Sequence, residues 1–163
     1  MEIENKELFL RYAIPCGEVL VRRGDLQMDM LEKLNEMIER KRDIDLPVGR
    51  LFPVAGRMCT ILAKEMGKDR IDDDVIRRYF LHEHEKAIKW RSLFFRDIDL
   101  KKCMVKPGRV METGERIVLN TPLGKRVTEK SFEPELRRND WVSLHYDQIC
   151  ERLPNDQAKK MLR

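Results

Sequence analysis

The 163 residues of this chain carry a formal net charge of +4, with 42% hydrophobic and 38% charged residues. This length suits one ordinary domain or two small ones, and this composition is typical of a heavily charged globular protein. No stretch approaches the ~18 consecutive apolar residues of a membrane span, and the charged residues 1–6 lack the apolar core of a signal peptide, so we expect a cytoplasmic protein with no membrane partner.

The four cysteines, at positions 16, 59, 103 and 150, are widely spaced and form no Cys-x-x-Cys pair. A disulfide scaffold or a zinc ribbon is therefore disfavoured. Charge is divided unevenly: residues 1–100 contain 19 basic and 20 acidic side chains, whereas residues 101–163 contain 14 and 9. A basic C-terminal part suits an acidic protein or nucleic acid as partner, or simply a solvated surface.

Residues 1–100 show the period of α-helices. Helices are predicted over residues 4–14, 26–42, 45–66 and 72–95, with Asp25 as the N-cap of the second and a kink or close helix approach near Pro53. Residues 18–22 fit either a helical turn or a short strand. We predict a helical bundle that serves as an interaction module. Apolar positions expected to be buried are Leu31, Leu34, Ile38, Leu51, Phe52, Ile76, Phe80 and, later in the chain, Val142.

His82-Glu83-His84-Glu85 lies within the last predicted helix and invites a metal-binding interpretation. Side chains two positions apart on a helix point about 200° apart, so these two imidazoles cannot share an ion. The zinc-protease pattern needs histidines at i and i+4, and residue 86 is lysine. The pattern therefore favours a polar helix face.

Beyond a charged connector at residues 96–102 the period shortens. Strands are predicted over residues 108–112, 115–121, 125–129 and 141–146, followed by a helix that begins at Pro154. Several short strands closed by a helix predict an α+β chain in which residues 101–163 form a small OB-like β-barrel. Pro107 and Gly108 predict a tight turn just after Cys103, which would place this thiol at a domain edge.

Four motifs follow one another in this C-terminal part: Cys103-x3-Pro107-Gly108-x-Val110, Gly124-Lys125-Arg126-Val127, Asn139-Asp140-Trp141-Val142-Ser143-Leu144-His145 and Glu151-Arg152-Leu153 before a helix. In order and spacing they resemble the HypC/HupF family of hydrogenase-maturation chaperones. The resemblance covers about residues 102–163. In that family the cysteine follows the initiator methionine, whereas here about a hundred residues precede it.

The resemblance implies a small OB-like barrel with a C-terminal helix and an accessory role in [NiFe] hydrogenase maturation. It implies that the protein carries an iron fragment with cyanide and carbonyl ligands, and that its partner is the hydrogenase large-subunit precursor or another maturation protein. By position it makes Cys103 and His145 the iron ligands. Low-spin iron with soft ligands suits a thiolate and an imidazole, and the lysines near Cys103 favour the thiolate.

Around these two side chains, we take Lys106, Pro107, Gly108 and Tyr146 as candidate partner-binding residues. If the barrel closes as the resemblance implies, Cys103 and His145 lie at one end, within reach of one ion. Iron binding there also requires the helical domain to leave that end of the barrel open.

Two other classes of function remain open. The basic C-terminal part and the aromatic residues Phe132, Trp141 and Tyr146 fit an OB-like domain that stacks single-stranded nucleic acid, although Trp141 opens an apolar strand and is expected in the core. Alternatively, Cys103 and His145 are only structural. We do not expect an enzyme, because none of the three histidines has a recognisable catalytic partner, unless a site is assembled from both domains.

Overall fold

The chain is α+β, as predicted, with helices in its first part and an antiparallel sheet in its second. The computed structural model describes residues 1–163 and divides into two units, Met1–His84 and Glu85–Arg163. The whole of the predicted barrel segment falls within the second unit, and the domain limits predicted at residues 100 and 101 stay a prediction. No helix combines the length and apolar character needed to cross a membrane.

The first unit is built from short helices. They are α1 (Lys6–Ala13), α2 (Gly17–Arg22), α3 (Met28–Glu39), α4 (Val48–Leu51), α5 (Pro53–Glu65) and α6 (Asp73–Arg78). Asn5 caps α1 by accepting a hydrogen bond from the Leu8 amide, and Asp72 caps α6 in the same way. The ambiguous residues 18–22 are helical.

Asp25 is not the N-cap of α3, contrary to the prediction. The amides of Asp25 and Leu26 donate to the carbonyl of Leu20, so both residues belong to the turn that ends α2. The helix α3 starts at Met28 instead, after Gln27 in an extended conformation. Local hydrogen bonding to the preceding helix has displaced the predicted start.

The break predicted near Pro53 is confirmed. Phe52 leaves the helical region between α4 and α5, and Pro53 is the first residue of α5, where its missing amide costs no hydrogen bond. A Cβ atom at Gly56 would lie only 2.3 Å from the carbonyl oxygen of Gly49. The two short helices therefore approach at a contact that only glycine allows.

An aromatic cluster fills the core of the first unit. Phe9 packs edge-on against Phe52 and Phe80, with ring centroids 6.5 and 5.9 Å apart, and Tyr12 stacks on Phe80 at 5.0 Å. All of the apolar residues predicted to be buried are buried except Leu51, which is partly exposed.

The predicted helix over residues 72–95 is interrupted. A π-helical turn, Tyr79–Glu83, separates α6 from α7 (His84–Ser92). Such a turn adds a residue to the helix and shifts the faces that follow, and π turns are frequent at functional sites. The angular argument applied to His82 and His84 assumed an uninterrupted α-helix.

The second unit contains the short helix α8 (Leu100–Cys103), five strands and the C-terminal helix α9 (Asn155–Met161). The strands are β1 (Lys106–Glu112), β2 (Ile117–Thr121), β3 (Gly124–Thr128), β4 (Trp141–His145) and β5 (Gln148–Leu153). They form an antiparallel sheet in the order β3-β2-β1-β4-β5, with β3 and β5 as its outer strands. The pairing is that of an open sheet.

The core of this unit lies on one face of the sheet. It is formed by Val110, Leu119, Val142, Leu144 and Ile149, all fully buried. Helix α9 packs against β4 and β1 and buries Ala158. Strand β5 was missed in the sequence because three consecutive residues, Ile149, Cys150 and Glu151, are buried, so the strand shows no alternation.

The turn predicted at Pro107 and Gly108 is wrong, since both residues lie inside β1. Pro107 pairs with Ser143 of β4, whereas the pairing of β1 with β2 begins only at Arg109. Pro107 therefore has a partner strand on one side alone, the kind of position in which a sheet tolerates proline.

Candidate metal centre

Cys103 is placed by the short helix α8. Asp99 starts this helix by accepting a hydrogen bond from the Lys102 amide, and the Cys103 amide donates to the Asp99 carbonyl over 2.8 Å. Met104 is already extended, so the chain passes within three residues from the thiol into β1. The side chain of Cys103 thus sits at a helix C-terminus directly before the sheet.

His145 is the last residue of β4, the strand next to β1. It pairs with Gln148 of β5 across a two-residue turn, and its side chain is fully buried. The amide of Tyr146, in that turn, donates to the Lys102 carbonyl over 2.9 Å. This hydrogen bond fastens the end of α8 to the β4–β5 turn, and so fixes Cys103 beside His145.

The Sγ atom of Cys103 lies 3.8 Å from Nε2 of His145, although 42 positions separate the two residues. A thiolate and an imidazole that bind one tetrahedral ion at about 2.0–2.3 Å have donor atoms about 3.5–4 Å apart. The observed separation agrees with this geometry. The two side chains can therefore serve a single metal ion.

Cys103 is buried, whereas the iron chemistry predicted for it requires an open end of the barrel. It is 6% exposed, and His145 has no exposed surface. Burial removes water from the coordination sphere and favours an ion that is held by protein donors. None of the four cysteines forms a disulfide.

Lys106 is the first residue of β1, three positions after Cys103. Its ammonium donates to the Lys101 carbonyl in α8. Burial lowers the pKa of Lys106, as does the positive charge of Arg126, while Asp147 and Asp99 oppose the shift. Lys106 is therefore a buried cation that links α8 to the sheet.

The four candidate partner-binding residues differ in exposure. Lys106, Pro107 and Gly108 are buried in β1, whereas Tyr146 is partly exposed. The three buried residues offer little surface to a partner. Their partner-binding role stays a prediction, and Tyr146 is the residue best placed to touch another molecule.

The aromatic residues named for nucleic-acid stacking do not form an exposed platform. Phe132 is 9% exposed, and Trp141 is partly buried beneath the guanidinium of Arg109, 5.9 Å from the ring centroid. Stacking on bases needs open ring faces. These positions therefore give little support to a nucleic-acid-binding function.

Two functional candidates were missed by sequence reasoning, Cys16 and His84. Both residues lie in the first unit, and their donor atoms are within 4.8 Å of each other. Cys16 had been considered only as one of four widely spaced cysteines, and His84 had been set aside with His82. The only signal in the sequence was that Cys16 and His84 are residues of the same types as Cys103 and His145. The spacing of Cys16 and His84 matches no recognisable metal-binding motif.

Comparison of the chain with protein-family models, with curated proteins and with solved structures finds no match. The function is therefore argued from the residues and geometry of the site.

Proposed function

We propose that this protein is a HypC-like accessory protein of [NiFe] hydrogenase maturation that binds iron through Cys103 and His145. The observation that supports it most is the 3.8 Å approach of Sγ and Nε2 from two residues that occupy the motif positions of the resembled family. If the two side chains were only structural, the same contact would serve as a thiol–imidazole hydrogen bond.

The chemistry of the pair fits a carrier of an iron fragment. Iron that already bears cyanide and carbonyl ligands has few coordination positions left, and two protein donors are enough to hold it as cargo. A thiolate and an imidazole suit soft, low-spin iron. A carrier must also release its cargo, which two protein ligands permit more readily than a complete set of four.

The sheet supports an OB-like fold for the second unit. Five short antiparallel strands, with α9 packed against β4 and β1, give the element order expected of such a domain. Closure of the barrel remains part of the proposal.

Exposed apolar side chains near the start of the second unit support a protein partner. Trp90, Leu93 and Phe94 are 64%, 77% and 67% exposed, and the rings of Trp90 and Phe94 lie 5.1 Å apart. Clustered exposed aromatic residues are typical of protein-binding surfaces. We propose the hydrogenase large-subunit precursor, or another maturation protein, as this partner.

The test is affinity capture of the full-length protein from cells that are making a [NiFe] hydrogenase. We expect to recover the large-subunit precursor or a maturation protein, together with iron that shows the infrared bands of cyanide and carbonyl ligands. Cys103→Ser and His145→Gln should remove those bands, while Cys59→Ala, which changes a buried thiol elsewhere, should keep them. Capture of no hydrogenase-related protein, with no such bands on the wild type, would refute the proposal.

A further inference from the structure

A groove opens on the first unit between the N-terminal segment and the helices α4 and α5. Its volume is about 560 Å³, which is in the range of cavities that bind a ligand or a few side chains. All of its lining residues lie between Met1 and Ile71, so the groove belongs entirely to the first unit. The apolar side chains of its lining are those of Ile3, Leu46, Val48, Ile61 and Ile71.

The rim of the groove is positively charged. Lys6, Arg50 and Arg57 line it, against a single acidic side chain, that of Glu2. The side chains of Lys6 and Arg57 donate only to backbone carbonyls, and the side chain of Arg50 makes no hydrogen bond. None of the three cations forms a salt bridge within the chain. An anionic partner would therefore meet positive charges that the chain itself does not neutralise.

The close contact between α4 and α5 brings the two arginines to the same groove. Arg50 directly follows Gly49, and Arg57 directly follows Gly56. A Cβ atom at Gly56 would lie 2.3 Å from the Gly49 carbonyl oxygen, so the two helices approach this closely only because the residue is glycine. Two cations from different helices therefore act on one ligand.

The N-terminal segment has an unpaired backbone edge at Ile3. Ile3 forms a parallel bridge with Ile71, in which the Ile71 amide donates to the Glu2 carbonyl and the Glu4 amide donates to the Ile71 carbonyl. The bridge uses the groups of Glu2 and Glu4, so the amide and carbonyl of Ile3 point to the opposite edge, where neither has a partner within the chain. Ile3 is only 7% exposed, and buried backbone groups are seldom left without a partner. An extended peptide that pairs with this edge would satisfy both groups.

We propose that this groove binds an extended, acidic peptide segment of a partner protein, with an apolar side chain in the groove and carboxylates on Arg50 and Arg57. Main-chain pairing at Ile3 contributes affinity, the apolar lining holds the anchor side chain, and the two arginines select for negative charge. A basic peptide is repelled by the same rim. The inference is independent of the proposed function, because it uses none of the residues of the metal site.

The experiment offers the full-length protein two pools of synthetic peptides, in which three varied apolar residues are flanked on each side by two glutamates or by two lysines. Captured peptides are identified by mass spectrometry, and the affinity of the strongest is measured by fluorescence anisotropy at low and at physiological salt. Arg50→Glu and Arg57→Glu reverse the charges of the groove. Lys64→Glu is the matched control, because Lys64 is exposed on α5, lies outside the groove and undergoes the same change of charge.

We expect capture from the glutamate pool alone, with binding that weakens as the salt concentration rises. Arg50→Glu and Arg57→Glu should each weaken binding at least about fivefold, because an attractive charge pair becomes a repulsive one, while Lys64→Glu should bind as the wild type does. All three side chains are exposed, so the variants should fold. Equal capture from both pools, capture from neither, or wild-type affinity in both arginine variants would overturn the inference.

Two further measurements identify other occupants of the groove. If decanoate binds with the same dependence on Arg50 and Arg57 while no acidic peptide binds, the groove takes a small carboxylate and the inference is overturned. Sedimentation of the wild type and of Arg57→Glu tests for a second copy of this chain. A dimer that forms only in the wild type would make that copy the occupant and would overturn the inference as well.

Hydrogen exchange of the Ile3 amide tests the main-chain pairing on the wild type and needs no variant. Saturation with the strongest peptide of the glutamate pool should slow this exchange at least about tenfold, as read by nuclear magnetic resonance, because the amide gains a hydrogen-bond partner. The exposed amide of Lys64 should be unaffected if it lies away from the peptide, as the groove predicts. An unchanged exchange rate of Ile3 with the peptide bound would overturn the pairing assigned to this edge.

Discussion

Cys59 lies fully buried on α5, and this burial raises the pKa of its thiol to about 12. Below pH 9 the thiol is protonated in both the folded and the unfolded chain. Between pH 9 and 12 only the unfolded chain loses the proton, so stability falls as the pH rises through this window. We expect the wild type to lose about 2 kcal/mol more unfolding free energy than Cys59→Ala between pH 9 and 11.

Urea unfolding of both proteins at several pH values measures this difference, and titrations shared by the two proteins cancel. The same pH dependence in the wild type and in Cys59→Ala would contradict the assignment. The comparison also distinguishes the buried thiol of Cys59 from that of Cys103, because Cys59→Ala should leave metal binding unchanged.

The buried Lys106 has the opposite effect on how stability depends on pH. Burial and the charge of Arg126 lower its pKa, so the folded chain gives up this proton at a lower pH than the unfolded chain. Stability therefore rises with pH between the lowered pKa and the ordinary value near 10.5. We expect Lys106→Met, which keeps the apolar stem and removes the buried charge, to melt at a higher temperature than the wild type at pH 7 and to lack this rise.

Thermal unfolding at pH 7 and pH 10 checks the effect of Lys106→Met. The exposed Lys125, on β3, provides the control, because Lys125→Met should change neither value. A lower melting temperature for Lys106→Met at pH 7 would show that its bond to the Lys101 carbonyl outweighs the cost of burial.

The approach of Cys103 to His145 could be predicted from the sequence, whereas the approach of Cys16 to His84 could not. The first two lie within ordered motifs that end a helix and a strand. Cys16 and His84 are brought to within 4.8 Å by the packing of α2 against α3 and by a π turn, neither of which leaves a periodic signal. The burial of Cys103 was also not predicted, because the turn expected at Pro107 and Gly108 had placed this thiol at a domain edge.

The β4–β5 turn holds two residues in the left-handed region beside His145. Tyr146 has φ 48° and Asp147 has φ 58°. A two-residue turn of this kind favours glycine at its second position, and a side chain there costs about 1 kcal/mol. We expect Asp147→Gly to stabilise the protein by about 1 kcal/mol, because its contact with Arg126, at 4.0 Å, is partly exposed and weak.

Denaturant unfolding measures the effect of Asp147→Gly. Gly124→Ala is the matched opposite, because Gly124 has φ 100° and alanine there should destabilise. Loss of stability in Asp147→Gly would show that the aspartate side chain contributes more than its backbone strain costs.

The close contact between α4 and α5 provides a second test of how the elements of the structure pack. Gly56→Ala places a methyl group against the backbone carbonyl of Gly49, which cannot move aside, and should destabilise the protein by about 1–3 kcal/mol. Gly49→Ala instead meets a flexible methyl of Ile3 at 3.2 Å and should cost less. Equal unfolding free energies for the two variants would contradict this packing.

Helices and strands with clear periodicity were predictable, and those shaped by pairing were not. α1, α3, β2, β3, β4 and α9 lie close to their predicted ranges. The start of α3 shifted because Asp25 bonds back to α2, and the Pro107–Gly108 turn failed because β4 recruits these residues into β1. A local hydrogen bond to the preceding helix decided the first outcome, and strand pairing with β4 decided the second.

For the molecule as a whole, the exposed aromatic side chains of Trp90, in α7, and Phe94, after it, test the partner-binding proposal. Trp90→Ser combined with Phe94→Ser removes two exposed rings and should change the unfolding free energy by less than about 0.5 kcal/mol. The double variant should capture less hydrogenase-related protein while its metal content stays that of the wild type. Unchanged capture would place the partner surface elsewhere.

Metal ligation by Cys103 and His145 is tested most directly by X-ray absorption at the zinc edge of Zn²⁺-loaded wild type and Cys103→Ser. We expect the wild type to show sulfur at about 2.3 Å and nitrogen at about 2.0–2.1 Å from the ion. Cys103→Ser should reduce the sulfur scattering, and His145→Gln should reduce the imidazole scattering. A wild type that holds no ion, or a sulfur signal that persists unchanged in Cys103→Ser, would contradict the assignment of these residues as metal ligands.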